Sequence, residues 1–330
     1  MSGARVDDVR AAYRGARALV LGGSGFIGRW VARALTRSGA TVLVTVRDAT
    51  SFSRIAKVWD IDAEVLSMNA LEESSITQAI IDADADIVFN LIGYGVDRSE
   101  TQPDLMWRVN RDLVRQAAAA MRNPSARRGW PHGPRFVHVG SALEYGRIEG
   151  VAKEDGPVEP HTEYGRSKLA GTVALGALAV ETGLRTLTAR AFTVFGPGEP
   201  DGRLLPTIRR AATDGTAVRL SGGSQRRDFC YVEDVADGLL RLGIATAAPG
   251  DVVNLATGRM TSVREFAETA ARVLDVPLDR LQFGAEAVRE DEMRITGVDV
   301  ERLHALTSWR PPSDLEDGLT RAVDFERRGA

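Results

Sequence analysis

The most restrictive feature of the chain is a run of glycines, Gly22-Gly23-Ser24-Gly25-Phe26-Ile27-Gly28, set between two stretches of different periodicity. Before it, Ala16 to Leu21 is an apolar run of strand length. After it, Phe26 to Ser38 carries apolar residues at helical spacing and stops at Gly39. Glycines at a strand-to-helix turn let a bound group approach the main chain. Gly22 permits the tight turn, Gly25 admits a pyrophosphate, and Gly28 lets the helix pack against the strand. Ser24, Phe26 and Ile27 complete the loop, and the first N–H groups of the helix face the phosphates. The spacing predicts a dinucleotide-binding α/β domain.

The rest of the first half alternates strand and helix. Strands are expected at Thr41–Val46, Ala63–Met68, Asp86–Ile92, Phe136–Val139 and Thr186–Ala191. Helices are expected at Ser75–Asp82, Pro103–Met121 and Glu163–Glu181. Residues 122–134, rich in Pro, Gly and Arg, read as a surface loop. Alternation of this kind implies right-handed crossovers and a doubly wound parallel sheet. Beyond Phe195 the pattern loosens. Helices are expected at Leu204–Asp214, Glu233–Leu242 and Ser262–Leu274, a strand at Val252–Leu255, and an irregular stretch around Pro311-Pro312. The expected division is a cofactor-binding domain over 1–190 and a smaller substrate-binding lobe over 191–330, with about 226–258 returning to the first sheet.

Composition narrows the partners. The chain has 330 residues, a formal net charge of -3 and no clustered basic face, which argues against a nucleic-acid partner. Cys230 is the only cysteine, so no intrachain disulfide can form, as suits a reducing compartment. Met1 to Gly15 lacks the apolar core of a secretory signal, and no apolar run is long enough for a membrane span. A cytoplasmic location is expected. The four histidines show no metal-ligand spacing, so no metal site is expected.

The end of the second strand bears on which dinucleotide fits. A carboxylate there holds the ribose hydroxyls of NAD and repels a 2′-phosphate. Here the acidic position falls on neutral Val46, followed by Arg47, whose guanidinium can take a phosphate bidentately. NADP(H) is therefore expected, with NAD(H) the alternative if Asp48 holds the ribose. Arg54 and Lys57 could add to a phosphate pocket. Asn69 and Ala70 after the third strand, and Leu91, Ile92 and Gly93 after the fourth, complete the expected cofactor contacts.

Tyr164-Gly165-Arg166-Ser167-Lys168 places a tyrosine and a lysine four residues apart, on one face of a helix. The chain has only three lysines, so this spacing is informative. An ammonium beside Tyr164 is expected to draw its pKa toward neutrality, fitting it to exchange the proton that accompanies hydride transfer. Ser141 follows the fifth strand, at the carboxyl end where parallel sheets bind ligands, placed to hydrogen-bond a reacting oxygen.

Together, the glycine loop, the Ser141…Tyr164-x-x-x-Lys168 set, Phe195-Gly196-Pro197-Gly198, Arg227-Asp228-Phe229 and Trp309-Arg310-Pro311 resemble the extended short-chain dehydrogenase/reductase family, in its nucleotide-sugar epimerase, dehydratase and reductase branch. The resemblance covers nearly the whole chain. It implies a Rossmann-type domain, a lobe gripping a nucleoside-diphosphate sugar, and a homodimer formed through the helix from Pro103 and the helix carrying Tyr164. It implies that Ser141, Tyr164 and Lys168 are catalytic and that Ser141, Ala142, Thr193, Arg227 and Arg289 touch substrate, Arg227 at the diphosphate. The branch's 4,6-dehydratases carry an acidic pair after the catalytic hydroxyl; here Ala142 and Leu143 stand there, which argues against dehydration. Thr193 stands where the branch often has Asn. The segment Val139–Gly146 is similar to 4-ketoreductases of nucleotide-linked 4-keto-6-deoxyhexoses. The expected activity is NADPH-dependent reduction of such a keto group. Alternatives are an NAD-dependent nucleotide-sugar epimerase, a reductase of a small ketone, and a non-catalytic dinucleotide sensor.

Overall fold

The computed structural model describes residues 6–70, 72, 74–97, 99–121, 130–288 and 292–329. Its centre is a seven-stranded sheet in which every pairing is parallel. Five strands come early: β1 (Arg17–Leu21), β2 (Thr41–Val46), β3 (Glu64–Ser67), β4 (Ile87–Asn90) and β5 (Arg135–Ser141). Arg185–Ala191 and Asp251–Leu255 complete it. The order is β3, β2, β1, β4, β5, then these two. The order in which strands are added reverses at β1, the place where parallel sheets of this kind bind ligands beyond their carboxyl ends. The fold is thus Rossmann-like.

Side-chain alternation explains why the inner strands β1 and β2 are largely apolar on both faces. Ala18 and Val20 pack into one core with Val42, Val44 and the helix Phe26–Arg37. Leu19 and Leu21 pack into the other with Leu43, Ile76, Val114 and Leu175. Successive residues point to opposite faces, and both faces are covered.

The second half forms smaller sheets. Thr193–Phe195 pairs with Arg226–Tyr231, which pairs with Met260–Ser262. Val218–Leu220 pairs with Leu281–Phe283, and Glu149–Ala152 with Arg294–Val298. Of the segment 226–258, Asp251–Leu255 enters the large sheet, whereas Arg226–Tyr231 stays in the small one.

Three local expectations need correction, and a fourth lies mostly outside the described residues. The helix Ala49–Trp59 went unassigned, although Phe52, Ile55, Ala56 and Trp59 have helical spacing. The expected helix Pro103–Met121 is broken: a π-helical segment, Arg108–Asp112, separates Pro103–Trp107 from Leu113–Ala120. Only 130–134 of the expected 122–134 loop lies within the described residues. The C-terminal stretch is not irregular, because Glu301–Thr307 and Leu315–Gly329 are helices. The last buries Leu319, Ala322 and Val323, at spacings of four, seven and eight from Leu315. Its Phe325 ring lies 4.8 Å from both Trp30 and Trp59, which meet each other edge-on at 5.2 Å. No described helix is long and apolar enough to cross a membrane.

Candidate active site

The glycine loop has the backbone its sequence requires. Gly22 sits at φ 81°, in the left-handed region. A Cβ on Gly28 would fall 2.1 Å from the Gly22 carbonyl oxygen, so only glycine lets the helix start this close to the turn. No side chain caps that helix, which leaves its first N–H groups to a ligand. Leu91 donates to the Leu21 carbonyl at 3.0 Å, and Ile92 lies against Gly22. Met68 donates to the Val46 carbonyl at 2.9 Å, bringing Asn69 and Ala70 to the end of β2. The residues expected to hold a dinucleotide therefore converge at one carboxyl edge. An uncapped helix N-terminus, a left-handed glycine and backbone open for close approach fit a pyrophosphate.

At the end of β2, Val46 is buried and Arg47 is exposed. Asp48 is committed elsewhere. It caps the helix Ala49–Trp59, accepting from Thr50 N at 2.9 Å, Ser51 N at 3.2 Å and the Ser51 hydroxyl at 2.5 Å. The Ser51 hydrogen bonds hold its carboxyl below the usual range. Arg54, on the same helix, lies close enough to add to that effect.

Ser141 ends β5, and Tyr164 and Lys168 share one face of the helix Glu163–Thr182. The Tyr164 side chain is hydrogen-bonded with Ser141, and its ring lies against Gly95. Lys168 is 3% exposed and donates to the Val139 carbonyl at 2.7 Å. The expected lowering of the tyrosine does not appear. Burial pushes Tyr164 up to about 12, against the opposing hydrogen bond with Ser141. Burial pulls Lys168 down to about 8, with Glu144 opposing. The Lys168 ammonium is spent on a main-chain carbonyl, and desolvation of the phenol prevails.

Three polar residues here escaped the sequence reading. Thr45 Oγ1 accepts from Gly22 N at 3.0 Å and ties the loop to β2. Asn110, in the π-helical segment, accepts from Tyr94 N at 3.0 Å and donates to the Tyr94 carbonyl at 2.7 Å and Ser167 Oγ at 2.9 Å. A Cβ on Gly171 would fall 2.0 Å from the Asn110 carbonyl oxygen, so the helix carrying Tyr164 crosses this segment in direct backbone contact. π-Helical segments are frequent at functional sites. Glu144, fully buried, accepts from Ser141 N at 2.8 Å, Thr172 Oγ1 at 3.0 Å and Arg190 Nε at 2.9 Å. An acidic residue three positions after Ser141, in an otherwise apolar turn, was the available signal.

The expected substrate contacts are less gathered. Ala142 is buried beside Ser141, and Thr193 begins the small sheet opposite Phe229. Arg227 is bidentate to Glu292, at 2.8 and 2.6 Å, while neighbouring Asp228 accepts from Thr257. Arg289 lies outside the described residues. Among the described residues, no group of three or more His, Cys, Asp or Glu is placed to hold a metal ion.

The family model described as "Epimerase: NAD dependent epimerase/dehydratase family" matches residues 18–256, from β1 to just past Asp251–Leu255. The chain belongs to that family. It is an NAD(P)-dependent enzyme of the extended short-chain dehydrogenase/reductase type. It is 28% identical over 316 residues to dTDP-6-deoxy-L-talose 4-dehydrogenase (NAD(P)(+)) of Kitasatospora kifunensis, covering 92% of this chain and 93% of the relative. It is 27% identical over 323 residues to UDP-glucose 4-epimerase of Mycolicibacterium smegmatis, covering 94% and 98%. Among solved structures, MoeE5 in complex with UDP-glucose and NAD superposes with a TM-score of 0.78 at 26% identity, covering 94% of this chain and 98% of that one.

Proposed function

We propose that this member of the family reduces a keto group on a nucleoside-diphosphate sugar with NADPH, the substrate being an NDP-4-keto-6-deoxyhexose. The observation that carries the reading is the capping role of Asp48. With that carboxylate bound to the N-terminus of Ala49–Trp59 and Val46 buried, the end of β2 offers exposed Arg47 where an NAD enzyme offers an acid. A 2′-phosphate fits this charge, and reduction draws on the phosphorylated pool. Ala142 and Leu143 after Ser141 supply no acid–base pair for dehydration. The likeness to a 4-dehydrogenase of a dTDP-6-deoxy sugar supports the substrate class.

In this reading residues 1–190 are the cofactor-binding part and 191–330 mainly grip the substrate. Gly22–Gly28 would hold the dinucleotide's pyrophosphate and Arg47 its 2′-phosphate, and the group, bound in its reduced form, would supply the hydride. Tyr164, neutral because burial raises it to about 12, gives its proton to the substrate oxygen. Ser141 hydrogen-bonds that oxygen. Lys168, charged below about 8, stabilises the phenolate that remains.

The test supplies an NDP-4-keto-6-deoxyhexose with NADPH or NADH in parallel and follows cofactor oxidation with the sugar product. Oxidation of NADPH in step with product, and much slower use of NADH, is expected. Epimerisation of a non-keto nucleotide sugar without net oxidation would replace this reading with an epimerase. Arg47→Ser is expected to raise KM for NADPH by about 10- to 100-fold and leave NADH nearly unchanged, the loss of a charge-assisted phosphate contact. Arg227→Ala is expected to raise KM for the nucleotide sugar by about tenfold or more with kcat little changed, as for a binding contact. Val173 and Val180, 62% and 83% exposed and seven residues apart on the Tyr164 helix, suit a homodimer formed through that face; light scattering at micromolar protein reads its mass.

A further inference from the structure

We propose that Glu144, paired with Arg190, is the positioning residue of the Ser141–Tyr164–Lys168 group: its carboxylate fixes the serine at the strand end and faces the lysine with a negative charge. The inference rests on reading those three residues as catalytic. Glu144 joins three elements. Oε1 takes the main-chain N–H of Ser141 at the end of β5. Oε2 takes the Thr172 hydroxyl, one turn beyond Lys168 on the catalytic helix, and Arg190 Nε from the neighbouring strand. Ser141 Oγ in turn accepts from Leu143 N at 3.2 Å, closing a reciprocal cap around Ala142–Glu144. The ring of Tyr145 lies under the Arg190 guanidinium at 4.5 Å, and its hydroxyl donates to Asn254 Oδ1 at 2.6 Å. Serine, lysine-bearing helix and two strands of the large sheet are thereby held in one register.

Stability alone does not account for such a pair, because apolar residues of similar volume usually serve a core as well or better. Its location supplies the reason. Around Lys168 stand His138 from β5 and Glu144 from the turn after β5, with Tyr164 one turn earlier on its own helix and Arg190 behind Glu144. Burial, then the nearby Lys168, holds His138 well below its ordinary value, so it is neutral. Glu144 is then the negative charge that opposes desolvation of the Lys168 ammonium. A cationic lysine is what a phenolate on Tyr164 requires.

Glu144→Gln leaves Arg190 buried and uncompensated and risks the fold, so the decisive variant is Glu144→Leu with Arg190→Met, which removes both charges. Lys57 and Lys153 are the only other lysines and are exposed; changing both to Arg leaves Lys168 as the single signal in 13C-lysine NMR. We expect its midpoint, about 8 with Glu144 in place, to fall by about 1 pH unit in the double variant, because the Glu144 carboxylate is the charge that acts on Lys168 and the Arg190 guanidinium lost with it stands behind that carboxylate. The alkaline limb of kcat moves with it. A folded double variant with an unchanged Lys168 titration and an unchanged pH profile would overturn the proposal and leave the pair a packing feature. A shifted titration in a protein that turns over no keto nucleotide sugar supports the pair and overturns the assigned reaction instead.

Discussion

Replacing Tyr164 with Phe is expected to lower kcat for a keto nucleotide sugar by about 100- to 10,000-fold, the share a positioned general acid supplies. KM should change little. The phenylalanine ring keeps the packing against Gly95, so the loss reports the hydroxyl rather than the fold. The pH profile sharpens the test. Lys168 carries its charge below about 8, so turnover should fall as the pH rises through that value. Tyr164, held up to about 12, stays a proton donor throughout. In the Phe variant no phenolate forms, and the residual rate should lose this alkaline limb. Full activity in the variant, read by steady-state kinetics from pH 6 to 10, would remove Tyr164 from the chemistry. Unchanged dinucleotide binding with no turnover in either protein would favour a sensor.

Gly28→Ala is expected to weaken dinucleotide binding by about 10- to 100-fold, the equivalent of roughly 1–3 kcal/mol of overpacking. The added carbon would meet the Gly22 carbonyl oxygen at 2.1 Å, the Gly22 carbonyl carbon at 3.0 Å and the Gly23 Cα at 3.2 Å. All three belong to the main chain, so no rotamer change relieves the clash. Either the helix retreats or the turn opens, and both spoil the row of N–H groups. Gly176→Ala is the control. A Cβ there has nothing within 4 Å, and alanine suits a helix interior better. Calorimetric titration with NADPH and NADH separates the two. Wild-type affinity in Gly28→Ala would mean that the phosphates lie elsewhere.

The fold was largely legible because it is written in short-range patterns. Apolar runs bounded by glycine give the strands of the large sheet, and the Tyr164-x-x-x-Lys168 spacing gives one helix face. The return of Asp251–Leu255 to the sheet was also readable, from an isolated apolar run. What escaped depends on partners far along the chain. Asp48 could be read as a ribose ligand or a helix cap. Only by noticing Phe52, Ile55 and Trp59 beyond it would one choose the cap. The π-helical segment leaves no trace in periodicity, since the extra residue is set by the crossing of Gly171 over Asn110. The helix from Leu315 was hidden by Pro311-Pro312 and a charged surface, although its buried residues keep helical spacing. The pKa of Tyr164 was misjudged because the spacing to Lys168 is visible in the sequence and the Val139 carbonyl that engages the lysine is not.

The aromatic cluster at the back of the glycine-loop helix ties the cofactor edge to a distant part of the chain. Trp30 lies two residues past Gly28, yet Phe325, whose ring meets it at 4.8 Å and a tilt of 44°, belongs to the helix Leu315–Gly329. Phe325 also meets Trp59, so one ring from that helix backs both tryptophans. The support behind the loop is therefore a long-range contact rather than a property of the strand–turn–helix unit. A change that loosens Leu315–Gly329 removes part of the backing of a helix whose opposite end carries the glycine loop.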